Sequence, residues 1–352
     1  MKLEQHHKIN FLPRVARYIM LVVAVALIIA GLRAWQLFGY IFDDNVQRDY
    51  VLYIQKGADY AMVMDSLVLN EVLINPKAFN WVAKRKEYQR VVRPGRYHFK
   101  PGTNSNQMVN MLRAGLQEPV RLTFNNIRFP PQLAAVVSNY IQADSASVAE
   151  LFTPETAADY GFSIETFSAM FIPNTYEFYW TTSASDFVAR MKVEHDRFWN
   201  ETRMARAAEL GMSPVEVTIL ASIVQEETVK RDEKPRVAGV YINRLKRGMP
   251  LQADPTVKFA VGDVTLQRVL FSHLAIDSPY NTYKYAGLPP GPITFSEISS
   301  IDAVLHFESH DYLYFCASDD FSGYHLFART LSEHNRNAER YRRALDARKI
   351  FR

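Results

Sequence analysis

The hydrophobic pattern divides the chain into three stretches. The first is a charge-free run, Tyr18–Leu32 (YIMLVVAVALIIAGL), that is apolar on all sides. At about 1.5 Å per residue it covers about 22 Å of a hydrocarbon core about 30 Å thick. Apolar character resumes after Arg33 with AWQLFGYIF. Arg33 can extend its head toward the interface, and Trp35 and Tyr40 suit an interfacial aromatic belt. The pattern therefore predicts a membrane-spanning helix over 18–38 with a tail at 1–17. Lys2, Lys8, Arg14 and Arg17 precede the span, and Asp43 and Asp44 follow it. That asymmetry predicts a cytoplasmic N-terminus and a body outside the cytoplasmic membrane. No small-x-small cleavage site follows the run, so the segment reads as a retained anchor rather than a signal peptide.

A second stretch runs from about Tyr50 to Leu116. VLYIQKG alternates like a strand, and AMVMDSLVLNEVLI has helical spacing with Pro76 as a stop. FNWVAKRKEY predicts another helix. RVVRPGRYHFKPGTN reads as a hairpin-like turn at Pro94-Gly95 leading into a strand with Tyr97 and Phe99 inward. SNQMVNMLRAGL predicts a short helix closed by Gly115. The outline is β-α-α-β-α, a small mixed module whose periodicity does not disclose a function.

The third stretch opens at Val120 with the alternating VRLTFNN. FIPNTYEFYW places aromatics close together, either as a sugar-binding groove or, the preferred reading, as core packing. The C-terminal LSEHNRNAERYRRALDARK predicts a helix with a solvated charged face. The fold class is thus α+β behind an N-terminal transmembrane helix.

Chemistry concentrates in Gly211–Gly262. Ser213, Pro214 and Glu216 form an N-terminal capping signature, so a helix should run to about Val229. On it Val217, Ile219, Leu220, Ile223 and Val224 share one face, with Glu227 near its middle, Glu226 at its edge and Gln225 pointing away. A carboxyl in an apolar setting has a raised pKa and suits a general acid. Two plainer readings exist: a frayed last turn in water, or an ion pair with Arg231, Arg236 or Arg244. VAGVYINRLKRGM predicts a second amphipathic helix ended at Gly248. MPLQADPTVKFAVG reads as a loop presenting Gln252, Asp254 and Thr256 around Pro255, and DSPYNTYKYAGLPPGPI as a long loop.

Composition narrows the choices. Of 352 residues 48% are apolar and 22% charged, and the net charge of +4 is dispersed rather than gathered into a patch that would bind nucleic acid. The single cysteine, Cys316, excludes an internal disulfide and reads as a small core residue. None of the nine histidines sits in a ligand pattern, so no metal and no cofactor are expected.

Three blocks, ILASIVQEETV…RVAGVYINRLKRGMPLQADPTVKFAVG, YNTYKYAGLPPGPI and YHLFARTLSEHN, together resemble the endolytic murein transglycosylases, the MltG/YceG-like family. The resemblance runs from about Tyr50 to the C-terminus and is weaker in the first half. It implies a LysM-like subdomain over 48–118 and a YceG-like catalytic domain over 119–352 behind the transmembrane helix. The family's ASI-[IV]-E-x-E-T block places its catalytic glutamate at Glu227, and Gln225 stands where the family has an earlier Glu. Its LQ-[TA]-DPT and NTY blocks imply substrate positioning by Gln252, Asp254, Thr256, Asn281 and Tyr283, while His325 and His334 match late family positions without an assigned role. Asn174 replaces the Asp of the family's FPDTY, so no acid role is implied there. The implied partners are peptidoglycan glycan strands, the membrane and peptidoglycan synthases. The implied reaction cleaves the MurNAc–GlcNAc bond and leaves a 1,6-anhydro-MurNAc end, with one carboxyl serving as acid and then base.

Overall fold

A computed structural model describes residues 14–263, 266 and 268–348. The expected tail residues before Arg14, including Lys2 and Lys8, lie outside the described residues. Helix α1 (Arg14–Phe42) is longer than the predicted span, and it is long and apolar enough to cross a membrane. By contact the chain divides into two compact units, 1–119 with 179–181, and 120–178 with 182–352.

In the first unit, β1 (Tyr50–Ile54) pairs antiparallel with β2 (Gly95–Phe99), Leu52 opposite Tyr97. Between them lie α2 (Tyr60–Leu69) and α3 (Pro76–Arg85), and α4 (Ser105–Ala114) follows. This is the predicted β-α-α-β-α order, with Tyr97 and Phe99 fully buried. Two local expectations fail. Helix α2 stops at Leu69, because Glu71 takes a left-handed backbone (φ 51°), and Pro76 begins α3 rather than ending α2. Proline tolerates the first helical turn, where its missing N–H has no partner to lose, and the Asn75 side chain caps that turn. The Pro94-Gly95 turn joins no hairpin, since the partner of β2 is β1, far back in the chain. The end of α1 packs on α3, with Tyr40 edge-on to Trp81 at 6.3 Å.

In the second unit, β3 (Val120–Phe124) pairs antiparallel with β4 (Asn174–Phe178), bracketing α5 (Pro130–Ser138), α6 (Ser145–Ala149) and α7 (Pro154–Asp159). Phe171, Tyr176 and Phe178 are buried among Leu122, Phe167 and Phe187, so these aromatics of FIPNTYEFYW are core packing, while Asn174 and Tyr179 are exposed and Trp180 is half-buried. Helices α8 (Ala184–Phe198) and α9 (Glu201–Glu209) lead to α10 (Pro214–Glu227), α11 (Lys234–Lys246) and α12 (Asp254–Val261). Then come α13 (Ile298–Leu305), the antiparallel pair β5 (Tyr314–Ala317) and β6 (His325–Ala328), and α14 (Leu331–Ala347). The segment expected as a loop around Pro255 is partly helical, because Pro255 sits in the first turn of α12 and Gly262 ends it at φ 75°.

Helix α10 is the spine of this unit. The predicted capping box forms, Ser213 Oγ accepting from the Glu216 N–H while the Glu216 carboxylate accepts from the Ser213 N–H. Every residue from Val217 to Val224 is buried, so the helix is enclosed all round rather than on one face. Gln225 accordingly does not point to solvent. Its amide donates to the Phe295 carbonyl and accepts from the Glu297 N–H, tying α10 to the start of α13. Helix α11 crosses beside it. A Cβ on Gly239 would lie 2.5 Å from the Glu308 carbonyl, so glycine lets the 308–312 strand of chain approach. Asn243 then clamps that segment through the carbonyls of His310 and Tyr312.

Candidate active site

The enclosed spine ends at a half-buried carboxyl. Glu227 is the last helical residue of α10, and extended Thr228 turns the chain away. The Glu227 side chain is held among neighbouring side chains and opens on a cleft of about 410 Å³. Tyr241 and Arg244 of α11 line the cleft with it, together with Gln252, Asp254, Tyr283, Tyr314, Cys316, His325 and His334.

Glu227 accepts a hydrogen bond of 2.6 Å from the Tyr241 hydroxyl on Oε1. Burial pushes its carboxyl up from an ordinary 4.5 to about 7. The Tyr241 bond opposes that rise, the nearby Asp254 adds to it, Lys258 opposes it and Glu226 adds to it. Among the described residues Glu227 makes no ion pair. Arg236 pairs with Glu308, and Arg244 donates to the carbonyls of Leu313, Pro250 and Leu251 and to Gln252 Oε1. Both plainer readings of Glu227 therefore fail, since the last turn is neither frayed into water nor neutralised by an arginine. Glu226, one residue earlier, pairs with Arg128.

Tyr241 is held in the protonated form, its pKa driven well above 10 by burial and by the adjacent Glu227 carboxyl. Its hydroxyl thus remains a donor, and the neutral acid keeps its proton on Oε2, the oxygen not engaged by Tyr241. Tyr283, also raised by burial and by its bond to a carboxylate, donates to Asp254 Oδ1 at 2.6 Å. The cleft is therefore a set of pre-oriented pairs: Tyr241 to Glu227, Tyr283 to Asp254, Arg244 to Gln252. Gln252 adopts a left-handed backbone, φ 52°, with its N–H on the Thr282 carbonyl, which fixes the side chain toward Arg244.

Three of the five predicted positioning residues, Gln252, Asp254 and Tyr283, line the cleft. Thr256 and Asn281 do not. Thr256 is fully buried, its hydroxyl on the Ala253 carbonyl and 2.8 Å from Thr282 Oγ1. Asn281, equally buried, donates to the Leu274 and Ile276 carbonyls and accepts from the Tyr283 N–H at 3.0 Å. Both hold the walls rather than face the substrate space. Cys316 corrects the core expectation, because β5 forms a wall of the cleft and leaves the residue half-buried beside it.

Tyr241 is not picked out by the pattern of hydrophobic and polar positions. It lies on a stripe of α11, Val237, Ala238, Tyr241 and Arg244, that is buried throughout. A tyrosine at a core position needs a partner for its hydroxyl, and that need was the available signal. Among the described residues no cluster of three or more His, Cys, Asp or Glu is arranged for a metal ion.

Residues 52–340 match the YceG-like family. The chain belongs to that family. It is similar to the endolytic murein transglycosylase of Bacillus subtilis (strain 168), 30% identical over 82% of this chain and 83% of the relative. It is also similar to the endolytic murein transglycosylase of Streptococcus pneumoniae, 24% identical over 90% of this chain, and spans 64% of that relative's length. A crystal structure of a yceG-like protein from Listeria monocytogenes is 29% identical, with a TM-score of 0.54, covering 82% of this chain and 98% of that one.

Proposed function

We propose that this chain is an endolytic lytic transglycosylase that cuts the MurNAc–GlcNAc bond of peptidoglycan strands, with Glu227 as its acid and then its base. The observation that carries the reading is Glu227 itself. It is a carboxyl of pKa about 7 at the edge of a cleft, with one oxygen held by Tyr241 and the other left to the substrate.

The chemistry follows from those atoms. The protonated carboxyl gives its proton to the bridging oxygen as the C1–O bond breaks. The resulting carboxylate is stabilised by the Tyr241 hydroxyl and the cationic Arg244 nearby. It then takes the proton of the MurNAc C6 hydroxyl, whose oxygen bonds to C1 and closes the 1,6-anhydro ring. The nucleophile is supplied by the substrate, so a second carboxylate to activate water is not required, in contrast to the usual glycosidase pair. Gln252, Asp254 and Tyr283 hold the sugars directly, and Thr256 and Asn281 fix the walls that carry them.

In this reading helix α1 spans the cytoplasmic membrane with its N-terminus inside, placing the body where nascent strands emerge beside their synthases. The module formed by β1, α2, α3, β2 and α4 acts as a LysM-like holder of glycan. Mass spectrometry of strands digested by the full chain in detergent tests the reaction. The expected ends are anhydro-MurNAc, one water lighter than reducing ends, and absent with Glu227→Gln. Reducing ends alone would identify a hydrolase, and unchanged digestion by the variant would move the acid elsewhere.

A further inference from the structure

We infer that His325 is a further substrate-positioning residue of the Glu227 cleft, held by the buried carboxylate of Glu233 so that its Nε2 makes a hydrogen bond with a hydroxyl of the glycan. The inference rests on the proposed glycan substrate and extends it to a residue without an assigned role.

Glu233 is only 3% exposed and stands just before α11. A buried carboxylate is costly unless donors surround it. Three do: Thr228 Oγ1 at 2.9 Å, the His325 N–H at 2.7 Å and His325 Nδ1 at 2.8 Å. Two of the three come from His325, so the carboxylate fixes both the backbone and the ring of that one residue. The third comes from Thr228, the residue that follows Glu227. One carboxylate therefore ties the end of α10 to a ring that lines the cleft.

The ring is locked further by Phe315, edge-on at 5.2 Å. Nδ1 faces Glu233, an acceptor, so Nδ1 carries a proton and Nε2 is the ring nitrogen left to face the cleft. His325 lines the cleft, and among the described residues Nε2 has no hydrogen-bond partner. Among the other polar groups there, Tyr241 is matched with Glu227, Tyr283 with Asp254 and Arg244 with Gln252, while His334 Nδ1 is buried without a partner among the described residues. An oriented ring nitrogen left unmatched in a space built for sugars is complementary to a hydroxyl, which can donate or accept. A histidine serving packing alone would need neither the buried carboxylate nor an edge on the cleft.

The test uses the full chain carrying Glu227→Gln, which holds strands without cutting them, and measures Kd for purified uncrosslinked glycan. His325→Asn keeps an amide near Nδ1 for Glu233 and loses Nε2, and should weaken binding about 5–10-fold. His325→Gln places an amide near Nε2 and should recover part of that loss. In the active background the same changes should raise KM more than they lower kcat, and Glu233→Gln should give no added loss on top of His325→Asn. The Nε2 resonance of His325 should shift when glycan is added, a readout independent of any folding defect. Binding by His325→Asn within twofold of its parent, or an unmoved Nε2 resonance, overturns the proposal. Failure of the unmutated chain to cut strands instead refutes the underlying function.

Discussion

The two compact units solve the problem of a core in different ways. Among the described residues the first unit buries two polar or charged side chains, Asn45 and Ser105, and the second buries fourteen. The first is an ordinary apolar core, Leu67, Phe79, Tyr97, Met108 and their neighbours. The second places Thr218, Ser222, Thr228, Glu233, Arg244 and Ser300 along and around α10 and α11. Buried polar groups cost stability unless matched, and these are matched: Ser222 with the Ile293 N–H, Ser296 with the Thr218 carbonyl, Ser300 with Lys234. The difference teaches where precision is required. A module held mainly by apolar packing tolerates small shifts. A cleft whose acid depends on a 2.6 Å bond does not.

That contrast can be broken most sharply at Glu227. Replacement by Gln is nearly isosteric and leaves Tyr241 an oxygen to bond, so the fold should stay intact. Release of anhydro ends from sacculi should fall about 10²–10⁴-fold. Next in size is a cavity in the first unit. Leu67 is fully buried, and Leu67→Ala should cost about 2–5 kcal/mol in thermal or denaturant unfolding. The pH dependence of kcat should not move, because no titrating group of the cleft is touched. A changed profile would show that the apolar core also tunes the acid.

Much of this contrast was legible in the sequence, and the exceptions have physical causes. The order of elements in the first unit follows from short amphipathic periods with clear caps, such as Asn104 with Gln107 at α4. Glu227 was legible because a carboxyl interrupted an apolar stripe. The positions of Gln225, Thr256 and Asn281 were not. Periodicity assigns a face, but α10 has no solvent face, and a short polar side chain reads the same whether it grips a sugar or a backbone carbonyl. Tyr241 and His325 bond to partners elsewhere in the sequence, Glu227 and Glu233, and such pairings arise only when the helices and the β5–β6 ladder assemble.

A smaller effect sharpens the comparison through stability. The folded pKa of Glu227, about 7, lies above its ordinary 4.5, so the folded chain holds this proton more tightly. Stability from this group is intact below about pH 4.5 and is lost as pH rises through 7. Glu227→Gln removes that loss. The variant should match the parent near pH 4 and exceed it at pH 8 by about 2–3 kcal/mol, read as a higher Tm. Equal Tm values at pH 8 would mean that the carboxylate is well solvated in the folded chain.

The smallest effect concerns Tyr241, the hydrogen-bond partner of the proposed acid. Its hydroxyl favours the carboxylate form of Glu227, opposing the rise caused by burial. Tyr241→Phe removes that opposition without opening a cavity. The Glu227 pKa should therefore rise above 7, and the alkaline limb of the kcat profile should move to higher pH. At the same time the developing carboxylate loses a donor, so kcat at its optimum should fall about 10-fold. The two changes have opposite practical signs, an enzyme that is slower but active further into alkali, and a purely structural tyrosine would produce only the first. An alkaline limb that moves downward, with kcat preserved, would mean that the hydroxyl stabilises the protonated acid instead, and the assignment of the free proton to Oε2 would be lost with it.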